Sequence, residues 1–427
     1  MQTTSRSGRR IALAGGILAV AALALSACTS TTDGEVSAGS PVARNDSTST
    51  PAAPTTSQDP GGPAVITLPA KLTNISPSTP LSVQVASGTI TDVTLTNPEG
   101  KHVKGTVATD GSSWASTEEL GYSKSYKLTV HATGTDGAAA TKKATITTVT
   151  PSNLTMPYLN STGGLPLQNG ATYGVGIVPV VHFDEPITNR KAAEKALEVS
   201  TVPHVEGVWN WIDAQNVHFR PKEYWPSGTK VTITARVYGV QVGSGLYGQQ
   251  DVSVSFKIGV KYVSVADDTT HRVYVYKADH RIRVMKTSMG MHLYVPGTNG
   301  QVSLYTMDGT YTVIGHENPA NMSSESFGLP ANSPYGYAPE KVYLATKIST
   351  DGIYLHSAPW SLGDQGNTDV SHGCLNLSPE DAQWFYDHSK IGDPVIVRHV
   401  GGPKIQIWQN GDWSVPWTTW VKGSALH

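Results

Sequence analysis

Cysteine is scarce in this chain, which has only two among 427 residues, Cys28 and Cys374. Cys28 closes a hydrophobic leader, and exported proteins commonly spend their cysteines on disulfides. We expect these two to stay unpaired, because each lies in a sequence context that suggests a separate function for a single thiol. The sequence therefore predicts two separate thiol sites and no disulfide.

Charge is also scarce, at 15% of the residues, and 31 Lys and Arg nearly balance 33 Asp and Glu. No basic block occurs beyond the leader, so nucleic acid is not an expected partner. The chain has no HExxH pattern and no phosphate-binding glycine loop, and we expect neither a metal nor another cofactor. Gly is plentiful, at 42 residues, alongside Thr, Ser and Val, a composition that favours β-structure.

No hydrophobic run is long enough to span a bilayer as a helix, which needs about 20 residues. The apolar run 11–25 follows three arginines and has the length of a secretory signal core. It ends in Leu25-Ser26-Ala27-Cys28, which resembles the lipobox of bacterial lipoproteins. The resemblance implies a diacylglycerol on Cys28, cleavage after residue 27, and an anchor on the outer face of the cell membrane. The alternative is an ordinary signal peptide, with Cys28 incidental.

Residues 28–60 are rich in Thr, Ser, Pro and Ala and have little to bury, which predicts a flexible linker. Segments 61–150 and 151–258 then show strand patterns, such as the period-two alternation of Tyr126–Val130 and of Val231–Ala235. We predict two tandem β-sandwiches of immunoglobulin-like size serving as spacers or wall-contact modules. One fused β-unit is the alternative.

The segment 259–400 predicts a third, β-rich domain with one main helix. Its expected features are a hairpin at 273–284, a long lid-like loop at about 318–340, and a strand ending in His356. Ser378 is the expected N-cap of the helix, which Gly392 and Pro394 would end. The tail 401–427 has four tryptophans, expected to pack on this domain; a sugar-binding platform is the alternative.

Cys374 is a candidate nucleophile for acyl transfer, which also needs a base and donors for an oxyanion. Its neighbour Gly373 permits unusual backbone conformations, so the N–H groups of residues 372–374 can point at one carbonyl oxygen. His356 and His372 compete for the role of base, and we favour His356 on a neighbouring strand. Asn376 offers a further amide on the same side as Cys374. The alternative is a buried, unreactive thiol.

The segments His356-Ser357-Ala358-Pro359-Trp360-Ser361 and Ser371-His372-Gly373-Cys374-Leu375-Asn376 resemble the L,D-transpeptidase catalytic domain. The order of lipobox, linker and two β-domains is similar to the lipoprotein form of mycobacteria and related actinobacteria. This resemblance implies a mainly β fold: two immunoglobulin-like sandwiches, the catalytic domain and a Trp-rich extension. Many members of the wider family have Arg where this chain has Asn376, so that arginine's roles are not carried over.

The resemblance implies cross-linking of peptidoglycan stem peptides. Cys374 would attack the carbonyl of the third residue of a tetrapeptide donor, releasing D-Ala and leaving a thioester. The side-chain amine of the third residue of another stem would then resolve the thioester, giving a 3-3 cross-link. Carbapenem-type β-lactams would acylate Cys374. An L,D-carboxypeptidase that hydrolyses the same thioester, and a non-catalytic wall-binding lipoprotein, are the alternatives.

The resemblance also implies roles for particular residues. His356 would be the base, oriented by the backbone carbonyl of Ser357, and the amides of residues 372–374 would form the oxyanion hole. The residues implied to contact the substrate are Met322, Phe327, Tyr337, Gly352, Trp360, Ser371 and Asn376.

Overall fold

The structure, a computed structural model, describes residues 61–427. The predicted signal sequence, lipobox and linker lie outside the described residues. Within the described part, no helix combines the length and the apolar character needed to cross a membrane.

The first β-domain is a sandwich of a four-stranded sheet, in the order β1-β2-β5-β4, and a three-stranded sheet, β3-β6-β7. Tyr126, Leu128 and Val130 alternate as buried residues along β6, as their period-two pattern predicts. The strands are β1 (Val65–Thr67), β2 (Ser82–Ala86), β3 (Gly88–Thr96), β4 (Gly105–Val107), β5 (Ser113–Ser116), β6 (Ser125–Gly134) and β7 (Ala139–Thr147).

The second β-domain has two four-stranded sheets, β10-β18-β15-β12 and β13-β14-β11-β9, and a small sheet, β16-β17-β8. Trp209, Trp211 and Trp225 fill its core. A short helix, α1 (Arg190–Lys195), has no counterpart in the first domain. The strands are β8 (Asn153–Thr155), β9 (Pro157–Ser161), β10 (Thr172–Tyr173), β11 (Pro179–Phe183), β12 (Leu197–Val202), β13 (Gly207–Trp211), β14 (Asn216–Pro221), β15 (Lys230–Ala235), β16 (Gln241–Gly243), β17 (Leu246–Gly248) and β18 (Val252–Ile258).

The third domain packs a five-stranded sheet, β21-β20-β19-β31-β24, with a four-stranded sheet, β25-β28-β29-β30, around one apolar core. Two ribbons, β22-β23 and β26-β27, complete it. The strands are β19 (Tyr262–Asp267), β20 (Arg272–Lys277), β21 (His280–Lys286), β22 (Tyr294–Gly297), β23 (Gly300–Ser303), β24 (Gly309–Thr312), β25 (Gly315–Glu317), β26 (Ala320–Met322), β27 (Glu340–Val342), β28 (Ala345–Lys347), β29 (Tyr354–Ser357), β30 (Leu375–Leu377) and β31 (Pro394–Arg398). The mainly β fold predicted from the sequence is confirmed.

The main helix, α2 (Pro379–His388), begins as predicted. Ser378 Oγ accepts the N–H of Asp381 at 3.1 Å and donates to the Asp381 carboxylate, which satisfies one of the free amides of the first turn. The helix ends earlier than the Gly392–Pro394 signal predicts, because Ser389 has already turned to an extended conformation, with ψ at 148°. The helix packs beneath β29 and β30, the strands adjoining the predicted site residues.

The Trp-rich tail contacts the second β-domain, and not only the catalytic domain as predicted. Trp420 is fully buried and donates to the carbonyl of Val208. Arg220 lies over the rings of Trp413, Trp417 and Trp420, with its guanidinium carbon 4.5–5.4 Å from their centroids. Cation–π stacking and burial explain this placement, since Arg220 is itself buried beneath these rings. The tail includes one short helix, α3 (Trp417–Trp420).

Candidate active site

Two adjacent parallel strands place the nucleophile and the favoured base on one face of a sheet. β29 pairs with β30 so that His356 lies opposite Asn376, and Cys374 stands two positions before Asn376. Cys374 packs against Tyr354, two positions before His356 on β29, and alternation along that strand therefore puts His356 and Cys374 on the same side. The sulfur of Cys374 lies 3.7 Å from the carbonyl oxygen of Gly352, which accepts a hydrogen bond from the thiol.

His356 is buried, and one of its ring nitrogens is occupied. Its Nδ1–H donates to the carbonyl of Ser357 at 3.0 Å, which leaves Nε2 as the free acceptor of the neutral ring. Burial lowers the pKa of His356 to about 4, with the Ser357 carbonyl opposing that shift. Burial likewise raises the pKa of the Cys374 thiol to about 11. Burial therefore favours the neutral form of both groups, the imidazole and the thiol.

His372 faces the lid segment rather than the thiol. Its Nε2–H donates to the carbonyl of Tyr335 at 2.6 Å, and its ring lies 5.0 Å from that of Tyr337 and 6.2 Å from that of Phe327, measured between centroids. Because Nε2 of His372 is occupied by this hydrogen bond, it is not available to accept a proton from the thiol of Cys374. This placement supports His356 over His372 as the base.

The turn that carries Cys374 is held by two hydroxyl groups. Ser371 Oγ donates to the carbonyl of Cys374 at 2.6 Å and accepts the N–H of Gly373 at 3.1 Å. Thr306 Oγ1 donates to the carbonyl of Gly373 at 2.7 Å. Gly373 has a φ of 129°, a conformation that side-chain-bearing residues rarely adopt, so the turn requires glycine.

The expected oxyanion donors are therefore not equivalent. The N–H of Gly373 is already bonded to Ser371 Oγ, whereas no hydrogen bond among residues 61–427 uses the N–H of His372 or of Cys374. Asn376 is buried and donates its side-chain amide to Ser361 at 3.1 Å. It lies on the expected face, where this bond ties β30 to the segment after His356.

The lid is more ordered than a loop. β26 and β27 pair as an antiparallel ribbon, and between them lies a 3-10 turn at Ser324–Phe327. Ser324 Oγ bonds to both the N–H and the carbonyl of Tyr337, at 2.9 and 3.0 Å. The Pro and Gly residues of this segment obscured the short strands in the sequence, because each strand has only three residues.

The lid and its surroundings form apolar walls around the thiol. Met322 and Cys374 pack in one small cluster with Tyr354, whose hydroxyl donates to Glu317 at 3.2 Å. Burial raises the pKa values of Tyr337 and Tyr354 above the usual range, so both remain neutral donors. On the other side, the exposed ring of Trp360 stacks on His356, with centroids 6.0 Å apart.

Two residues of this site were not predicted from the sequence. Tyr354 stands two positions before His356 on the same strand, so the period-two pattern points it to the same face and could have revealed it. Thr306 gave no such signal, because it lies in a segment without a motif and meets Gly373 only through the tertiary fold.

Comparison with known proteins agrees with the geometry. Residues 261–397 match the family described as the L,D-transpeptidase catalytic domain, and residues 72–241 match a bacterial Ig domain. The chain is 42% identical over 347 residues to L,D-transpeptidase 2 of Mycobacterium tuberculosis (strain CDC 1551 / Oshkosh), covering 81% of each chain. It is 37% identical over 364 residues to L,D-transpeptidase 5 of M. tuberculosis (strain ATCC 25618 / H37Rv), covering 83% of this chain and 75% of the relative.

A solved structure of L,D-transpeptidase 3 from M. tuberculosis, in complex with a faropenem-derived adduct, is 35% identical with a TM-score of 0.44. The similarity covers 54% of this chain and 95% of that one. The sequence identity to the two longer relatives extends across the β-domains and the catalytic domain together. The chain therefore belongs to the L,D-transpeptidase family, and it is an enzyme of that class.

Proposed function

We propose that this enzyme joins peptidoglycan stem peptides by 3-3 cross-links through a thioester on Cys374. The sulfur bonds to the carbonyl carbon of the third residue of a tetrapeptide donor, and the bond from that carbon to the nitrogen of D-Ala breaks. The thiol proton passes to Nε2 of His356 and then to the leaving amine of D-Ala. The side-chain amine of an acceptor stem then attacks the thioester and restores the thiol.

The observation that carries this proposal is the buried imidazole of His356 on the same sheet face as Cys374. Its Nδ1–H is bonded to the carbonyl of Ser357, which orients the ring with an unprotonated Nε2. Because burial lowers its pKa, the ring is neutral at neutral pH, so the lone pair on Nε2 is not occupied by a proton. Because the thiol is also neutral at rest, the proton moves as the sulfur attacks, with rotation of the thiol away from Gly352.

The lid supplies the donor pocket in this proposal. Met322, Phe327 and Tyr337 cover the thiol side of the sheet, and Trp360 covers the imidazole. The N–H groups of His372 and Cys374 are the available oxyanion donors, and the N–H of Gly373 becomes a third one if Ser371 Oγ releases it. Excluding water from this pocket favours the amine acceptor over hydrolysis of the thioester.

The test is a product analysis of the purified enzyme with a disaccharide-tetrapeptide. The proposal expects release of D-Ala together with a dimer whose mass equals two donors less one D-Ala. Tripeptide alone, with no dimer at saturating donor, would establish the L,D-carboxypeptidase alternative. Loss of neither D-Ala nor donor would contradict the proposed reaction.

The thiol chemistry also supports acylation by β-lactams of the carbapenem type. A strained lactam carbonyl can take the place of the donor carbonyl at Cys374. Because the lactam nitrogen belongs to the same ring as this carbonyl, it stays bonded to the acyl group after the ring opens. We expect a stoichiometric adduct that adds the mass of one drug molecule, measured by mass spectrometry of the intact protein.

We further propose that the enzyme is anchored to the outer face of the cell membrane through a lipid on Cys28. The motif Leu25-Ser26-Ala27-Cys28 and the linker that follows support this. Cys28→Ala should move the protein from the membrane fraction to the soluble fraction and leave carbapenem acylation at Cys374 unchanged. Recovery of this variant with membranes to the same extent as the parent would contradict the anchor.

A further inference from the structure

A second cluster of titratable side chains lies beside the catalytic turn and takes no part in the proposed chemistry. Asp268, His292 and Asp369 each offer one ligand atom, and these atoms all lie within 4.8 Å of one another. Nε2 of His292 lies 3.3 Å from Oδ2 of Asp268 and 3.8 Å from Oδ2 of Asp369. The three residues come from three separate segments, which the tertiary fold brings together.

Two polar atoms of this cluster are buried and have no hydrogen-bond partner. The side chains of Asp268 and Asp369 are only 9% and 7% exposed. Within residues 61–427, neither Oδ1 of Asp268 nor Nε2 of His292 has a hydrogen-bond partner, and neither carboxylate forms an ion pair with Lys or Arg. Burying two carboxylates side by side is costly unless a positive charge compensates them. In the part of the chain described, the groups paired with these carboxylates are the imidazoles of His271 and His292.

We propose that Asp268, His292 and Asp369 bind one divalent cation of the zinc type. Zn²⁺ holds imidazole nitrogen and carboxylate oxygen at about 2.0–2.2 Å in a tetrahedron, so its ligand atoms lie about 3.3–3.6 Å apart. The separations of 3.3 and 3.8 Å from Nε2 of His292 fit that geometry with little movement. One imidazole with two carboxylates suits Zn²⁺ better than Mg²⁺ or Ca²⁺, which prefer six or more oxygens.

The surroundings support the ligands and connect them to the catalytic turn. Nδ1 of His271 lies 3.3 Å from Oδ1 of Asp369, and the N–H of Met289 donates to the same oxygen at 2.6 Å. Ligating carboxylates are commonly held by such second contacts. Met289 in turn accepts the N–H of Ser371 at 2.9 Å. The bound cation therefore fixes the segment before Ser371; its role is structural, and the acyl transfer needs no metal.

The test is calorimetric titration of the full chain with Zn²⁺, in a Cys28→Ala/Cys374→Ala background that removes both competing thiols. The proposal expects one Zn²⁺ per chain. His292→Gln and Asp369→Asn should each weaken binding by at least about 10–100-fold, the size of effect that even second-shell partners have. His280→Gln, which changes an exposed histidine on the β20-β21 hairpin, should bind as the parent does. Mg²⁺ and Ca²⁺ should bind far more weakly at the same concentration.

Two outcomes would overturn the proposal: a parent that binds no Zn²⁺, or variants at His292 and Asp369 that bind it as the parent does. Should a variant fail to fold, anomalous X-ray scattering at the zinc edge of the folded parent decides the matter. A peak about 2.0–2.2 Å from the three ligand atoms supports the site, and its absence from zinc-soaked crystals contradicts it.

Discussion

The Nε2–H of His372 donates to the carbonyl of Tyr335, 2.6 Å away, and so joins the residue two positions before the nucleophile to the lid. The other histidine, His356, is instead fixed by the carbonyl of Ser357 on its own strand. The two imidazoles therefore have different surroundings: His372 connects the catalytic turn to the lid, and His356 is the one we propose as the base.

Replacing the two histidines should separate these tasks. His356→Ala should slow acylation of Cys374 by about 10² or more, the usual contribution of a general base. His372→Ala should slow it less and should change the ratio of hydrolysed to cross-linked product, because the lid loses its bond to the turn. Adduct formation followed by mass spectrometry measures the rate, with His280→Ala as an exposed control. Normal acylation by the His356 variant would assign the base role elsewhere.

The pH dependence of acylation should be flat across neutral pH. Burial lowers the pKa of His356 to about 4 and raises that of Cys374 to about 11, so the neutral pair persists between those values. Below the lower value the ring is protonated and cannot accept the thiol proton. We expect a constant acylation rate from about pH 5 to 9, provided the drug is stable. An inflection near pH 6.5 would show that the histidine is exposed to solvent before acylation.

The same buried histidine affects stability. In the unfolded chain a histidine titrates at about 6.5, so the unfolded state binds more protons than the folded state between about pH 6.5 and 4. The contribution of neutral His356 to the free energy of unfolding is present above pH 6.5 and is lost as the pH falls through this window. His356→Gln should weaken that dependence in urea titrations at pH 4.5 and 7.

The lid aromatics should control the fate of the thioester. Phe327→Ala should remove apolar cover beside Tyr337 and His372, admit water, and raise the fraction of tripeptide relative to dimer. Phe385→Ala, which changes a buried residue of α2, serves as a control for lost packing alone. A lower melting temperature with an unchanged product ratio in the Phe327 variant would make Phe327 a packing residue only.

Ser371 should matter through the geometry of the turn. Its hydroxyl holds the carbonyl of Cys374 and the N–H of Gly373, and Ser371→Ala leaves both without that partner. We expect a loss of about 1–3 kcal/mol in the free energy of unfolding and slower acylation, because buried unpaired groups are costly. Ser371→Thr, which retains the hydroxyl, should recover part of both. An alanine variant with the parent rate and stability would exclude this role.

The sequence predicted those elements that depend on residues close together in the chain. Ser378 followed by Pro379 gives the start of α2, and the alternation around Tyr126 gives a strand with one buried face. The hairpin at 273–284 was predictable, although its two-residue turn of Ala278 and Asp279, both with positive φ, was not evident from their residue types.

Contacts between distant segments could not be predicted in this way. The bond from Thr306 to Gly373, the packing of Trp420 on the second β-domain and the partner of His372 all join residues far apart in sequence. A motif identifies Cys374 and His356 because their chemistry restricts the residue type. A hydroxyl or an indole whose role depends on a tertiary contact has no comparable sequence motif.

The most direct test of the account is mass spectrometry of the intact enzyme, mixed briefly with a tetrapeptide donor and quenched in acid. We expect a covalent adduct that adds to the enzyme the mass of the donor less that of D-Ala. Peptide mapping should locate it on Cys374, and it should be absent in Cys374→Ala. An adduct that persists in the alanine variant, or cross-linked product formed by that variant, would contradict the assignment of Cys374 as the nucleophile.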